Sequence, residues 1–195
     1  MLRQLRSSLQ AVIVLTLLLG LAYPLVITGL AQVLWPHQAN GSRVEQDGRL
    51  VGSLLIGQDF RDQERYFQSR PSASVYDAVA TAASNLGPNS RRLSLEIRQR
   101  LGAFLRREGP YNPGLTDAAV PADAVTASGS GVDPGISIAN AAIQAHRVAA
   151  VRGLPLAAVM RLVAEHTDRL AGGLFGPGSV NVLALNLALD AARAP

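Results

Sequence analysis

Cysteine and lysine are both absent from the 195-residue chain. Without cysteine the chain can form no disulfide and offers no thiolate chemistry. Without lysine it cannot contain a Walker-type phosphate loop, a Schiff-base lysine or the lysine-containing phosphorylation motif of P-type ATPases. These absences exclude several classes of nucleotide-hydrolysing and covalent catalyst.

Aromatic and charged residues are also few. Aromatic residues make up 5% and charged residues 16% of the chain, and the net charge is +4. Two of the 18 basic residues, Arg3 and Arg6, precede the apolar segment described next, so 16 arginines face 14 acidic residues in the remainder. This near balance, with few rings on which bases could stack, indicates that the chain has no nucleic-acid partner.

One long uncharged segment dominates the N-terminus. No charged residue occurs from Ser7 to Ser42, and Leu9 to Leu34 is almost wholly apolar. A hydrocarbon core of ~30 Å needs roughly 20 helical residues, so this segment is long enough to span a bilayer. Because Arg3 and Arg6 precede it, the N-terminus is predicted to be cytoplasmic. We predict a cytoplasmic tail at 1–8, a transmembrane anchor at 9–35 and an extracytoplasmic domain at 36–195.

The competing interpretation of this segment is a cleaved secretory signal. Signal peptides have an apolar stretch of about 7–15 residues followed by small residues at the cleavage site. The segment here is longer, and Gly29 with Ala31 matches a cleavage site only weakly. The length therefore favours an anchor that stays on the mature protein.

Hydrophobic periodicity and capping residues beyond the anchor predict one α/β (α+β) domain. Ser90 and Ser137 are candidate N-caps, Gly153 ends a helix and Pro155 opens the next. The last segment favours a central strand because it is apolar on both faces, although its Ala and Leu content also suits a helix. The predicted elements are strands at 50–57, 124–127 and 180–190, a short helix at 76–83, and helices following Ser90, at 138–152 and from Pro155 to Leu170.

The helix after Ser90 is strongly basic. Six arginines and two glutamates lie between residues 90 and 108. A solvated outer face explains this composition, and so does contact with anionic lipid headgroups or with an acidic partner surface.

No residue pattern predicts catalysis or metal binding. The three histidines, His37, His146 and His166, show no spacing that would place two metal ligands on one helical face. A serine hydrolase using Ser130, Asp133 and one of the last two histidines remains an alternative, although Gly-Ser-Gly is not the nucleophile-elbow motif. A membrane-anchored or secreted periplasmic binding module is the other alternative to a non-catalytic anchored domain.

Ordered motifs along the whole chain resemble one family, the C subunit of the bacterial Kdp potassium-transporting P-type ATPase. The N-terminal half contributes Tyr23-Pro24, Gly29, Gly52 to Gln58, Phe67, Arg70 to Ala73, Tyr76-Asp77 and Ser84 to Pro88. The C-terminal half contributes Val125 to Gly131, Asp133-Pro134, Ile136-Ser137, Gln144, Arg147 to Ala149, Arg152 to Leu154, His166-Thr167, Val180 to Leu183 and Leu185 to Asp190.

The resemblance implies an accessory, non-catalytic subunit in the bacterial inner membrane, with one membrane helix and a periplasmic or extracellular domain. The implied partners are a potassium-channel-like subunit, a P-type ATPase catalytic subunit, a small helical subunit and membrane lipid. The implied role is to assemble or stabilise the complex and to raise its apparent affinity for ATP, which the complex uses; the chain is expected to have no cofactor of its own.

The resemblance also implies a nucleotide site at Gln144 and Arg147 and at Ser84 and Asn85. The family pattern before Ser84 has a glycine pair where this chain has Ala82 and Ala83, which weakens a backbone phosphate cradle. Gly135 and Pro177 to Ser179 also depart from the family pattern. Because the predicted domain lies outside the cell and lacks lysine, an indirect effect on ATP affinity is the alternative to direct binding.

We expect the apolar segment to remain on the mature protein. Intact-mass measurement of the chain extracted from its own membranes should give the full 195 residues. A chain cleaved near Ala31 and released in soluble form would instead favour the secreted binding module.

Overall fold

A computed structural model describes residues 1–168, 176 and 178–192. The chain divides into two compact units, Met1–Ser53 and Leu54–Pro195.

The first unit is built on one continuous apolar helix, Leu2–Leu34. It consists of α1 (Leu2–Leu17), a π-helical turn (Leu18–Ala22) and α2 (Tyr23–Leu34). The π turn ends two residues before Pro24, whose missing N–H cannot complete the normal ladder of i to i−4 hydrogen bonds. Within the described residues, this is the one helix long and apolar enough to cross a membrane.

A short helix and a hairpin complete the first unit. Helix α3 (Pro36–Ala39) is followed by the antiparallel strands β1 (Arg43–Gln46) and β2 (Arg49–Ser53). Asp47 and Gly48 join the strands with φ of 52° and 73°, as the two-residue hairpin turn requires. The strand predicted at 50–57 therefore ends at Ser53, and it is not a buried strand, since Leu50 is 60% exposed.

Helices dominate the second unit, and a small sheet joins them. The helices are α4 (Arg91–Glu108), α5 (Ala122–Val125), α6 (Ile138–Arg152), α7 (Leu156–Glu165) and α8 (Val182–Ala191), with 3₁₀ turns at Gly109–Tyr111 and Asp117–Ala119. The strands β3 (Gly135–Ser137), β4 (Thr167–Asp168) and β5 (Ser179–Asn181) form an antiparallel sheet in the order β3-β5-β4. An N-terminal apolar helix followed by a mixed helix and sheet domain confirms the predicted order of one apolar helix and one α/β (α+β) domain.

The core of the second unit lies where α6, α7 and α8 meet the small sheet. Its buried residues are Phe67, Ile136, Ala141, Ala145, Val148, Ala149, Val159, Val163, Val180, Val182, Leu185 and Leu189. Small side chains on α6 let the neighbouring elements approach this helix closely.

Two helices were predicted well because their ends carry capping residues. The Ser90 hydroxyl accepts a hydrogen bond from the Leu93 N–H (3.4 Å), and that of Ser137 accepts one from the Asn140 N–H (3.1 Å). Gly153 ends α6 in the left-handed conformation, with φ of 67°. The predicted bounds of α6, 138–152, are confirmed.

Three local predictions were wrong. Residues 180–190 form only the end of β5 and then α8, because the Asn181 side chain caps the helix by accepting from the Ala184 N–H (3.0 Å). Ala and Leu favour a helix, and packing against the core satisfies apolar residues on more than one face. Residues 124–127 lie in and after α5 instead of a strand, and 76–83 form no helix. Helix α7 ends at Glu165; Leu170, to which its stripe was predicted to extend, lies outside the described residues.

Substitution of Gly57 tests how closely the loop after the hairpin packs against residues 132 and 133. Its N–H donates to the Val132 carbonyl (2.8 Å), and a Cβ added to it would lie 2.9 Å from the Asp133 carbonyl carbon and collide with its oxygen. We expect Gly57→Ala to lower the free energy of unfolding by about 1–3 kcal/mol. Gly87→Ala, where a Cβ meets nothing within 4 Å, is the matched control and should change it little. Equal stability of the two variants in chemical denaturation would contradict this packing.

Candidate functional site

The predicted ligand residues Gln144 and Arg147 lie on the buried face of α6. Asn140, Gln144 and Arg147 follow one another at helical spacing and are 1%, 1% and 0% exposed. Arg147 Nη2 donates to Gln144 Oε1 (3.2 Å), and Gln144 Nε2 donates to Asn140 Oδ1 (2.9 Å). The result is a polar ridge running along a helix that otherwise buries alanine and valine.

Gln144 holds the backbone of an irregular segment, residues 64–68, which we call the core segment. Its Oε1 accepts from the Gln68 N–H (2.7 Å) and its Nε2 donates to the Gln68 carbonyl (3.2 Å). With the bonds to Arg147 and Asn140, both polar atoms of the side chain are fully used. Gln144 therefore acts in this fold as a clamp on the backbone.

Asn186 on α8 binds the backbone of Phe67, the residue before Gln68, in the same way. Its Oδ1 accepts from the Phe67 N–H (2.8 Å) and its Nδ2 donates to the Phe67 carbonyl (3.0 Å). The Gln144 and Asn186 amides thus supply to Gln68 and Phe67 the backbone hydrogen bonds that a neighbouring strand would otherwise provide. Since buried backbone groups need partners, this pairing is what allows Phe67 and Gln68 to be buried without secondary structure.

The guanidinium of Arg147 anchors the start of the core segment. Nη1 donates to the carbonyls of Glu64 and Tyr66, the latter at 3.1 Å. Nε donates to both carboxylate oxygens of Glu108 (3.0 and 3.1 Å), and Glu108 is itself 0% exposed. This ion pair joins the end of α4 to α6 between two fully buried side chains, where its geometry matters most.

Arg107 shares the carboxylate of Glu108. Its Nε lies 3.2 Å from Glu108 Oε1, so two guanidinium groups face one carboxylate. Burial lowers the pKa of Arg107, which the nearby charge of Glu108 partly offsets. Arg107 also lines a cavity of about 280 Å³ with Tyr76, whose pKa burial raises to about 12.

Asp123 closes the other end of the polar ridge. Its carboxylate accepts from the Ser137 N–H (2.8 Å), the Ser137 hydroxyl (2.7 Å) and Asn140 Nδ2 (3.0 Å). A chain of hydrogen bonds thus runs from α5 through α6 to the end of α4. Sequence reasoning missed Asp123, Asn140, Glu108 and Asn186; the one available signal was a polar Asn186 inside an otherwise apolar run.

Ser84 and Asn85, the other predicted ligand residues, lie in a different place. Ser84 is half-buried in a groove of about 300 Å³ whose other polar residues are Ser72 and, from α4, Arg92, Glu96 and Arg100. Asn85 is exposed and has φ of 52°. The structure therefore brings Gln144 and Arg147 together, but the residues that line the Ser84 groove include neither of them.

The residues of the hydrolase alternative serve structural purposes. Ser130 Oγ accepts from the Val132 N–H (3.1 Å), and Asp133 pairs with Arg70 (3.1 Å). His146 is exposed, and His166 Nδ1 lies 2.9 Å from the Leu162 carbonyl. Within residues 1–168, 176 and 178–192, no three His, Asp or Glu side chains are grouped so as to hold a metal ion.

Comparison with known proteins assigns the fold to one family. The family of the K⁺-transporting ATPase c chain, KdpC, matches residues 5–191. The potassium-transporting ATPase KdpC subunit of Sorangium cellulosum is 52% identical over 196 residues, covering 99% of this chain and 100% of the relative. The subunits of that name from Cereibacter sphaeroides and Mycobacterium bovis are 50% identical over 194 residues (100% of both chains) and 46% over 190 residues (96% and 98%).

Arg147→Met tests the importance of the buried ion pair. It leaves the Glu108 carboxylate in the core with Arg107 alone and removes the donors to Glu64 and Tyr66. We therefore expect the free energy of unfolding to fall by about 3–5 kcal/mol. Arg161→Met, which removes an exposed pair with Glu165 (3.8 Å), is the control and should change it by less than about 1 kcal/mol.

A second change separates charge from packing in the same measurement. Adding Glu108→Gln to Arg147→Met removes the partly compensated charge, so it should restore part of the lost stability. A loss no greater in Arg147→Met than in Arg161→Met would contradict the anchoring role of this pair.

Proposed function

The chain belongs to the KdpC family and is therefore an accessory subunit of the Kdp potassium-transporting ATPase; we propose that it stabilises the assembled pump and raises the pump's apparent ATP affinity without binding ATP itself. In this proposal the chain is non-catalytic. Its effect on ATP is a coupling between a docked domain and a distant catalytic site.

The position of Gln144 carries the argument against direct binding. Both Gln144 and Arg147 are buried, and their polar atoms are bonded to the core segment, to Glu108 and to each other. A nucleotide could reach them only by displacing those bonds and exposing the backbone of residues 64–68, at a cost of about 1–3 kcal/mol for each buried group left unpaired. The chain also has no lysine with which to hold a phosphate.

The proposed location supports the same conclusion. The arginines before the apolar helix favour a cytoplasmic N-terminus, and in this proposal the second unit lies on the periplasmic or extracellular side of the bacterial inner membrane. ATP is on the other side. An effect of this domain on ATP affinity then has to pass through the membrane subunits.

We propose that the apolar helix Leu2–Leu34 docks against the membrane subunits of the pump. Its partners are the potassium-channel-like subunit, the P-type ATPase catalytic subunit and the small helical subunit. The exposed apolar side chains along the helix, such as Leu25 (63%) and Leu17 (55%), support a lipid or helix environment. The second unit then lies over the side from which potassium enters.

Gln144→Leu and Asn186→Leu form a matched pair that tests this mechanism. Each removes one amide clamp from the core segment, but only Gln144 matches the nucleotide proposal for the family. We expect both variants to raise the apparent KM for ATP of the purified complex to a similar extent, somewhere in the ~5–150-fold range of coupled sites. The measurement is potassium-stimulated ATPase activity against ATP concentration.

The outcomes separate the two mechanisms. A raised KM in Gln144→Leu alone, with Asn186→Leu like wild type and both complexes equally stable to heat, would show direct nucleotide contact at Gln144. Labelling of the full chain by a photoreactive ATP analogue, prevented by ATP and absent in Gln144→Leu, would lead to the same conclusion.

A further inference from the structure

The basic helix α4 carries more positive charge than its own acids can neutralise. Glu96 is shared by Arg92 (2.9 Å) and Arg100 (3.0 Å). Glu108 is likewise shared by Arg107 and the buried Arg147. Both glutamates of the helix are therefore already engaged with two guanidinium groups each.

Three further arginines on α4 have no carboxylate partner within the described part of the chain: Arg91, Arg98 and Arg106. Their spacing places them on one exposed face of the helix, two turns apart. Leu95 lies between the first two and is 58% exposed. An uncompensated row of guanidinium groups around an exposed leucine differs from an ordinary solvated helix face, on which charges of both signs alternate.

This face borders an open groove of about 540 Å³ that we call the α4 groove. It is lined by Pro88, Asn89, Arg91, Ser94, Leu95 and Arg98. The two arginines can each present paired N–H donors to a phosphate. The Asn89 amide and the Ser94 hydroxyl can form hydrogen bonds with the oxygens of a glycerol-type headgroup. The side chains of Leu95 and Pro88 can contact the first carbons of an acyl chain.

We propose that the α4 groove binds the phosphodiester headgroup of an anionic phospholipid and so holds the second unit against the bilayer surface. The proposal requires that the apolar helix enter a membrane, and it does not depend on the proposed accessory role. A lipid fits better than an acidic protein surface because the groove combines guanidinium groups with an exposed leucine. Anionic headgroups next to acyl chains offer both chemistries at once.

A short tether, residues 35–53, keeps α4 within reach of the bilayer surface. Only residues 35–53 separate the end of the apolar helix from the second unit. Even fully extended, these residues span at most ~65 Å, and the hairpin shortens that reach. The effective concentration of bilayer surface around α4 is therefore high, so a modest intrinsic affinity is enough to hold the domain there.

Because the chain contains no cysteine, one introduced cysteine can be labelled at a single known position. Gln99→Cys places a single label on an exposed position next to Leu95 without altering the lining of the α4 groove. The labelled full chain is reconstituted in vesicles of phosphatidylcholine alone or of phosphatidylcholine with phosphatidylglycerol. Quenching of the fluorophore by lipid-borne nitroxide reports contact with the bilayer.

We expect quenching that requires phosphatidylglycerol and weakens with salt, since the headgroup charge drives it. Each arginine near an anionic surface contributes about fivefold to the docked equilibrium, so Arg91→Gln with Arg98→Gln should lower it about 30-fold. The charge-matched control, Arg43→Gln with Arg161→Gln, should leave it close to wild type. Thermal unfolding of each variant checks that the second unit remains folded.

Four results would overturn the proposal. Equal quenching with and without phosphatidylglycerol, or an unchanged response in the Arg91 and Arg98 variant, would show that the groove does not recognise anionic lipid. A shift in the label's emission, measured without nitroxide lipid, that is as large with soluble glycerol phosphate as with the anionic vesicles would identify a site for free phosphate esters. Shielding of the label only in the assembled pump, with no response to phosphatidylglycerol, would identify an acidic protein partner.

Discussion

The second unit depends on satisfying the backbone of a buried segment that has no secondary structure of its own. Residues 64–68 run inward from the exposed Glu64 and Arg65 to the buried Phe67 and Gln68, where each unpaired N–H or carbonyl would cost about 1–3 kcal/mol. Arg147, Gln144 and Asn186 supply the missing partners from two helices. Glu108 compensates the arginine in turn, so α4, α6, α8 and the segment are linked through one set of polar contacts. Such a network fixes the relative positions of helices more specifically than apolar packing alone.

This arrangement separates what holds the domain together from what is available to other molecules. Gln144 and Arg147, two of the residues that resemblance associates with nucleotide, face inward and are saturated by the protein's own groups, whereas Asn85 is exposed. The charged groups that remain available lie on the surface, above all along α4. Under the proposed stabilising role, a domain held together by such a polar network would lose less entropy on docking than a loosely packed one.

The success of the sequence predictions follows the strength of local signals. The bounds of α6 were predicted correctly because a serine cap and a left-handed glycine mark its ends, both set by residues within one turn. The segment 180–190 was misread because its alternating Leu and Ala residues fit a covered strand and a buried helix equally. The choice depended on Asn181, which caps α8, and on the core that buries that helix on more than one side. Within the polar network, Gln144 and Arg147 were singled out by resemblance, but Glu108 and Asn186 are 39 positions away from Arg147 in opposite directions and nothing local connects them.

The sequence by itself determined the apolar helix, the order of the long helices, the exclusion of lysine and cysteine chemistry, and the family. These properties depend on composition, on periodicity within one element and on ordered motifs, all of which can be read along the chain. Only the tertiary structure decided that Gln144 and Arg147 point into the core and that α4 keeps three arginines without carboxylate partners in the described residues. Burial and ion pairing depend on residues distant in sequence, and the free energy of a polar side chain changes sign with the partners that the fold places beside it.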